Sequence, residues 1–468
     1  MRRTEPISSS PAGGSGGTDR VPGAARVLAV LLSLSVLVTP SYAEGDPAAQ
    51  EESLVDGLES IAAELPESPG KLGRNSRRTS NETDLPAPQQ QAETSVEGVI
   101  DSRDKRARDP TARAIYPEAY YRIRRLLKRW QEKLGLEVTL SYDVAGQYYT
   151  DDLGNESGIA GDASLSGRWL LFGQKFDLPV YLTFQVRRRD ALSNMPPSDI
   201  GPDTGLFWKT VSGFSDAGFQ VPNLYFSQEL GKRRVILRYG QFSIDSFFDS
   251  HRLRSAKKYF LNYAFADNPA VNFPSFGAGA VLQWNPSRRW ELTGGASNIQ
   301  SVDQKDQVDF GLDSSALFEA LQARYRLAYG EDRSAELGVM GWHNASIPTE
   351  GLKEEQGISV TLGVDGPTPE EELIFRLALS DGNSTPTDVL MFAGFGKTIN
   401  SFDQWGIGVA AGRSTESSNW QVMFETYYRW WVFKELMITP DFQLTLGEHL
   451  GRDTRASMVA GLRFGFIF

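Results

Sequence analysis

From Leu136 to the C-terminus, polarity along the chain alternates with a period of two. The final stretch shows it most plainly. Ala456, Met458, Ala460, Leu462, Phe464, Phe466 and Phe468 share one phase; Arg455, Ser457, Val459, Gly461, Arg463 and Gly465 share the other, with Ile467 as the bulky exception. Side chains of a strand point to opposite faces in turn, so each segment has one greasy face and one polar or small face. The first segment sets Val138, Leu140, Tyr142, Val144 and Tyr148 against Glu137, Thr139, Ser141, Asp143 and Gln147. The third sets Val180, Leu182, Phe184 and Val186 against Tyr181, Thr183, Gln185 and Arg187. Sixteen such segments are expected, over 136–148, 161–172, 179–189, 222–230, 233–242, 277–284, 289–298, 317–329, 334–342, 356–364, 372–380, 389–398, 404–413, 420–430, 434–445 and 455–468. Each is near the roughly 9–11 residues of a tilted membrane-spanning strand. The eighth fits least well, because Glu319 falls on its greasy side.

The connections alternate in length. Gly231-Lys232, Asn285-Pro286-Ser287-Arg288, Gly330-Glu331-Asp332-Arg333 and Asp365-Gly366-Pro367-Thr368 are tight turns, whereas 190–221, 243–276, 299–316 and 343–355 are long and polar. Outer-membrane barrels have short periplasmic turns and longer outside loops. Trp284 and Trp290 flank one short turn, and Trp430 with Trp431 marks another, as an interfacial aromatic girdle requires. An edge strand in a soluble sandwich explains the last segment alone but not this rhythm. The pattern therefore predicts an all-β fold: a sixteen-stranded antiparallel transmembrane β-barrel, residues 136–468, preceded by a short basic amphipathic helix.

That helix is expected from about Pro117 to Leu134, in a segment 113–135. Tyr120, Ile123, Leu127, Trp130 and Leu134 form its apolar stripe; Arg122, Arg124, Arg125, Lys128, Arg129 and Lys133 occupy the other faces. Proline suits the first turn and Gly135 the end. The helix either packs at the periplasmic mouth, attaches to an anionic surface such as lipid headgroups or cell wall, or self-associates as a short coiled coil. Upstream, Arg20 and Arg26 precede an apolar run from Val27 to Val38 and small residues at Ser41 and Ala43, which reads as a signal peptide over 1–43. The Pro-, Gln- and Glu-rich segment 44–112 reads as a disordered periplasmic leader.

Composition narrows the picture. With 23% charged residues and no apolar run of bilayer length, the chain can cross a membrane only as a closed barrel. The net charge of −11 argues against a nucleic-acid partner. The chain has no cysteine, and no metal or cofactor site is expected: the carboxylates of 151–156 lack EF-hand spacing. The only histidines, His251, His343 and His449, fall in connections or at strand ends. This is a poor basis for the nucleophile–base pair of a barrel enzyme.

A sixteen-stranded barrel is wide enough for an aqueous channel. The connection 243–276 is the candidate constriction. It carries Asp245, Asp249, His251, Arg252, Arg254, Lys257 and Lys258 among Phe247, Phe248, Tyr259 and Phe260, so folding inward would put both charge signs and aromatic faces in a narrow passage. Arg168, Arg187, Glu229, Arg238, Arg376, Glu425, Arg429, Asp441, Gln443 and Arg463 lie on the inward phase of their strands. A lipid-facing arginine near mid-membrane costs about 2–4 kcal/mol, so these side chains belong in the lumen, as solute contacts or as paired wall braces. Guanidinium groups donate in a fixed fork, which suits neutral polyols.

Leu224-Tyr225-Phe226-Ser227-Gln228-Glu229-Leu230 and Leu237-Arg238-Tyr239-Gly240-Gln241-Phe242 resemble the carbohydrate-selective outer-membrane porin family. So do Pro274 to Gly279, Glu425 to Tyr428, Pro440 to Gln443, Gly461-Leu462-Arg463 and Phe468, and the helix ending before the first strand is similar to that family's start. The likeness covers 120–468 patchily; 300–400 match poorly and the leader is a departure. It implies a pore in a Gram-negative-type outer membrane that passes sugars and other small hydrophilic solutes. It also implies Glu229, Arg238, Glu425, Asp441, Gln443 and Arg463 as wall residues. Outer-membrane lipid and, through Phe468, the barrel-assembly machinery are the expected partners. The rival readings are a general non-selective porin and a structural or adhesive barrel tethered to the cell wall.

Overall fold

The computed structural model describes residues 113–173, 178–231, 234–299, 308, 310, 316–329, 333–346, 352–368, 370–400 and 402–468, with 95, 96 and 100. The signal-peptide and leader readings lie outside the described residues. A helix, α1 (Pro117–Leu134), precedes the first strand. Four strands follow around a short helix: β1 (Leu136–Thr150), β2 (Asn155–Phe172), β3 (Val180–Ala191), α2 (Pro197–Asp203) and β4 (Gly218–Leu230). Next come β5 (Val235–Phe242), α3 (Tyr263–Ala266), β6 (Gly277–Trp284), β7 (Trp290–Asn298), β8 (Leu317–Tyr329), β9 (Arg333–Asn344) and β10 (Glu355–Asp365). The chain ends with β11 (Glu371–Ser380), β12 (Thr387–Ile399), β13 (Asp403–Ser414), β14 (Trp420–Trp431), β15 (Leu436–Gly447) and β16 (Ala456–Ile467).

Each strand pairs antiparallel with its sequence neighbour, and β1 closes the barrel against β16 over Ser141↔Ile467 to Thr150↔Met458. Closure leaves no unpaired edge, the condition for a strand protein to sit in hydrocarbon. The C-terminal Phe468 joins the seam, exchanging backbone hydrogen bonds with Leu140 at 2.8 and 3.2 Å. The alternation has the expected sense. Leu140, Tyr148, Phe226, Leu282, Phe375, Ile407, Phe424, Phe442 and Leu462 are exposed on the outer face. Thr139, Asp143, Thr183, Arg238, Arg376, Gln443 and Arg463 are buried inside. Trp284, Trp290, Trp405 and Trp430 are exposed beside short turns, forming the girdle. Glu319 does lie outside, where its carboxylate is 3.7 Å from His343 Nδ1; that imidazole also reaches Glu354 at 3.1 Å.

Two differences from the sequence pattern have physical causes. β2 begins at Asn155 rather than 161, because 155–160 pair with 145–150 of β1 despite weak alternation of their own. Within α1 it is Leu126, with Tyr120 and Trp130, that is buried, while Leu127 is only partly covered. Gly135 ends the helix at φ +68°, and a Cβ there would meet Leu170 Cβ at 3.1 Å, so glycine serves both the left-handed turn and the close approach to β2. At the opposite end of the segment, Ile115 N–H donates to Glu435 and Lys434 N–H to the Arg113 carbonyl. These bonds tie the helix entry to the β14–β15 turn.

Candidate functional site: the infolded connection and the barrel interior

The connection between β5 and β6, residues 243–276, turns into the barrel, and its apolar content explains why. Leu253, Tyr259, Phe260, Ala264 and Phe265 join Phe207 and Trp208 of the β3–β4 connection in one buried cluster. The cluster lies against the inward Ile374, Leu390, Phe392, Met423 and Tyr427. Burying such side chains is worth about 1.5–3 kcal/mol each. Gly408 makes the fit possible: a Cβ there would lie 2.9 Å from Phe265 and 3.1 Å from Phe260. A second cluster packs Phe248 and Val271 on Tyr225, Phe242, Val281, Phe318 and Trp342. Phe248, Phe260 and Tyr259 are buried in this packing, and Phe247 is partly exposed, because these rings gain more from one another than from water.

Polar side chains of the wall fasten the connection in place. Glu425 accepts from Leu261 N at 2.5 Å and Asn262 N at 3.0 Å. Gln443 accepts from Asn262 Nδ2 at 3.0 Å and donates to the Thr210 carbonyl at 2.9 Å and to Asp441 at 3.0 Å. Arg463 donates to the carbonyls of Ala256 and Tyr259, and Arg429 to those of Lys258 and Phe402. Arg376 donates to the carbonyls of Asp267 and Asp249 and lies 3.3 Å from the Asp249 carboxylate. That carboxylate also accepts from Asn268, Ser359 and Thr361. Within the connection, Arg254 donates to three carbonyls, those of Asp245, Phe248 and Ala266, and to the carboxylates of Asp245 at 2.7 Å and Asp267 at 2.9 Å. Burial works against its charge, but Asp245 and Asp267 outweigh burial and hold the guanidinium above its ordinary range. His251 is pushed well below its usual range by burial and by the neighbouring Arg376 and Arg254, so it is neutral. Buried groups of this kind persist because each is bonded.

The predicted residues thus divide. Arg238, Asp249, Arg254, Glu425, Arg429, Asp441, Gln443 and Arg463 are buried and serve the packing of the connection or the wall. Arg238 donates to Gln283 at 3.2 Å and lies over the Phe247 ring at 4.9 Å. Arg168 pairs with Glu137 at 2.7 Å and is partly exposed at the short-turn end. Arg187 is partly exposed and donates to Gln220. Glu229 is partly exposed. Arg252 is paired with Asp365 and with Glu372.

The charged groups that remain accessible include two sets, one at the β1–β3 wall and one on the connection. On the β1–β3 side, Lys257 bridges Asp143 at 3.0 Å and Asp162 at 2.8 Å, and Arg189 meets Asp162 at 2.7 Å. Burial opposes the Lys257 charge, and the two aspartates more than restore it. On the connection, Asp245 and Asp267 keep 23% and 22% of their side-chain surface exposed. A further quartet, Glu291, Arg324, Arg326 and Glu336, spans β7 to β9. Lys257 was named only as part of the connection, and Arg189, Asp162, Asp267 and the quartet were not singled out. Strand phase places Asp162 and Arg189 inward, whereas Glu319 obscured the phase of β8.

A closed sixteen-stranded antiparallel barrel with its longest connection turned inward has the fold of the porins. Within that class, residues 199–363 match the family described as carbohydrate-selective porin, OprB family. A high-pH structure of Pseudomonas putida OprB is similar at 14% identity and a TM-score of 0.62, over 76% of this chain and 99% of that one. A low-pH structure of the same protein gives 13% identity and 0.49, over 76% and 100%. An anion-selective porin from Comamonas acidovorans gives 10% and 0.47, over 71% and 99%. No curated protein matches the chain by sequence.

Proposed function

We propose that the chain forms a passive channel in a Gram-negative-type outer membrane for carbohydrates and other small hydrophilic solutes. The observation that carries this reading is the presence of partly exposed charges of both signs on the inward connection and the wall: Lys257, Arg187 and Arg189, and Asp245 and Asp267. A sugar hydroxyl can donate to a carboxylate and accept from a guanidinium at once, so a polyol replaces its lost water on both sides. A simple ion gains from one set and is repelled by the other, and it pays more for desolvation. The OprB family match and the porin fold support the same reading. Solute contact is assigned to these accessible groups, together with Arg168, Glu229 and Arg252, and the buried residues act by holding the connection.

Liposome swelling with a series of sugars, amino acids and salts tests the proposal. Sugars should enter faster than amino acids or ions of similar size. Equal rates for all small solutes would overturn carbohydrate preference and leave a general pore.

A further inference from the structure

At the long-loop end, the connections 192–217, 243–276, 381–386, 415–419 and 448–455 meet around a cavity of about 520 Å³. Small-molecule sites commonly measure about 300–1,000 Å³ and combine apolar walls with a few placed polar groups. This cavity has that composition. Phe207 and Trp208 form part of its wall, their rings edge to face at 6.1 Å and fixed in the buried cluster behind them. Tyr263 and Phe273, both partly exposed, extend the aromatic surface. Lys209 and Glu416 are exposed on the same lining and bring one charge of each sign. The indole N–H of Trp208 is buried and has no acceptor among the described residues. Asp267 N–H donates to the Tyr263 carbonyl at 2.9 Å, so the cavity adjoins the acidic groups of the connection.

We propose that this cavity is a docking site for a neutral mono- or disaccharide, occupied before the solute reaches the accessible charges of the barrel interior. A pyranose presents a C–H face and a rim of hydroxyls. Aromatic faces carry negative charge density and suit the weakly positive C–H face. A lysine and a glutamate together can donate to and accept from the hydroxyl rim while giving no net attraction to either sign of ion. A purely apolar ligand would leave both charges unsatisfied, and a singly charged one would be repelled by one of them. The inference rests on the carbohydrate reading and adds a second, outer station to it.

The test is single-channel recording of the full protein in planar bilayers, with maltose added from each side in turn, beside liposome swelling with the same sugar. Maltose added at the long-loop side should interrupt the current. Phe273→Ala and Lys209→Ala should each raise the half-blocking concentration from that side by about fivefold. Phe273 packs against Phe318 with tilted rings 5.3 Å apart, so Lys209→Ala, at an exposed side chain, supplies the reading if the aromatic variant does not assemble. Unchanged block in Lys209→Ala, with swelling intact, would overturn the outer station and leave the carbohydrate channel standing. Absence of swelling by maltose and glucose in the unmodified protein would overturn both.

Discussion

At the residue scale, many charges inside this barrel hold structure. Asp249 shows why. It sits at φ +48°, a conformation an aspartate tolerates better than most side chains, and its carboxylate collects Asn268, Ser359, Thr361 and Arg376 from three parts of the chain. Removing one member of a buried ion pair leaves the other uncompensated, at a cost of about 3–5 kcal/mol. Asp249→Ala should therefore lower resistance to heat or urea in lipid by that order and add noise to the open-channel current. An unchanged denaturation midpoint would show that the network is dispensable. His449 offers a pH test. Its Nδ1 contacts the Gly447 carbonyl and its Nε2 meets Ser457 Oγ at 3.0 Å, and Asp151, Asp152 and Arg452 are its charged neighbours. Burial lowers its affinity for a proton in the folded state. Below the unfolded value of 6.5 the unfolded chain then binds more protons than the folded one. Stability should accordingly be full above that pH and fall on acidification, by at most about 1.4 kcal/mol per pH unit. His449→Gln should flatten the slope between pH 6.5 and 5, which denaturation across that range measures. The inward phase of Asp441, Arg463 and Glu425 was legible from alternation alone. Their partners were not, because Glu425 bonds to Leu261 and Arg463 to Tyr259 across 164 and 204 residues of chain.

At the element scale, local signals served well where the determinants are local. Pro117 and Gly135 bracket α1, and the Trp-flanked turns mark strand ends. The infolding of 243–276 was legible only as a possibility, in its mixture of charges and aromatics. Its route depends on inward glycines such as Gly408, which look like ordinary strand interruptions in sequence. α1 bears on the rival adhesive reading. Arg125, Lys128, Arg129 and Lys133 are exposed on it, while Tyr120, Leu126 and Trp130 are buried. Deleting residues 44–134 should leave conductance and sugar-driven swelling in place at a lower thermal stability, since the barrel closes without them. Loss of a cell-surface phenotype with unchanged solute flux would instead favour the tethering role.

At the scale of the whole molecule, the even strand count, the shared end of α1 and Phe468, and the closing register of β1 on β16 follow from one period repeated sixteen times. What the period could not convey is how unevenly the interior is filled. Around Phe260 and Phe392 it is packed like a soluble core, while the accessible charges gather near β1 to β3. The field across that remaining space should govern ion preference. Lys257→Glu places a third carboxylate beside Asp143 and Asp162 and should shift the reversal potential in a KCl gradient toward cations, with a permeability ratio changed by roughly twofold or more. An unaltered ratio would place Lys257 away from the route of ions.

The inward connection is riveted to the wall at points from β10 around to β2, by Asp249, Glu425, Gln443, Arg463 and Lys257 in turn. A flap hinged at one edge could swing under an applied voltage; a brace bolted along its whole length would have to shear many buried bonds together. Any shutting of this pore by voltage must then originate in the outer rim, where side chains are free to move without unseating the brace.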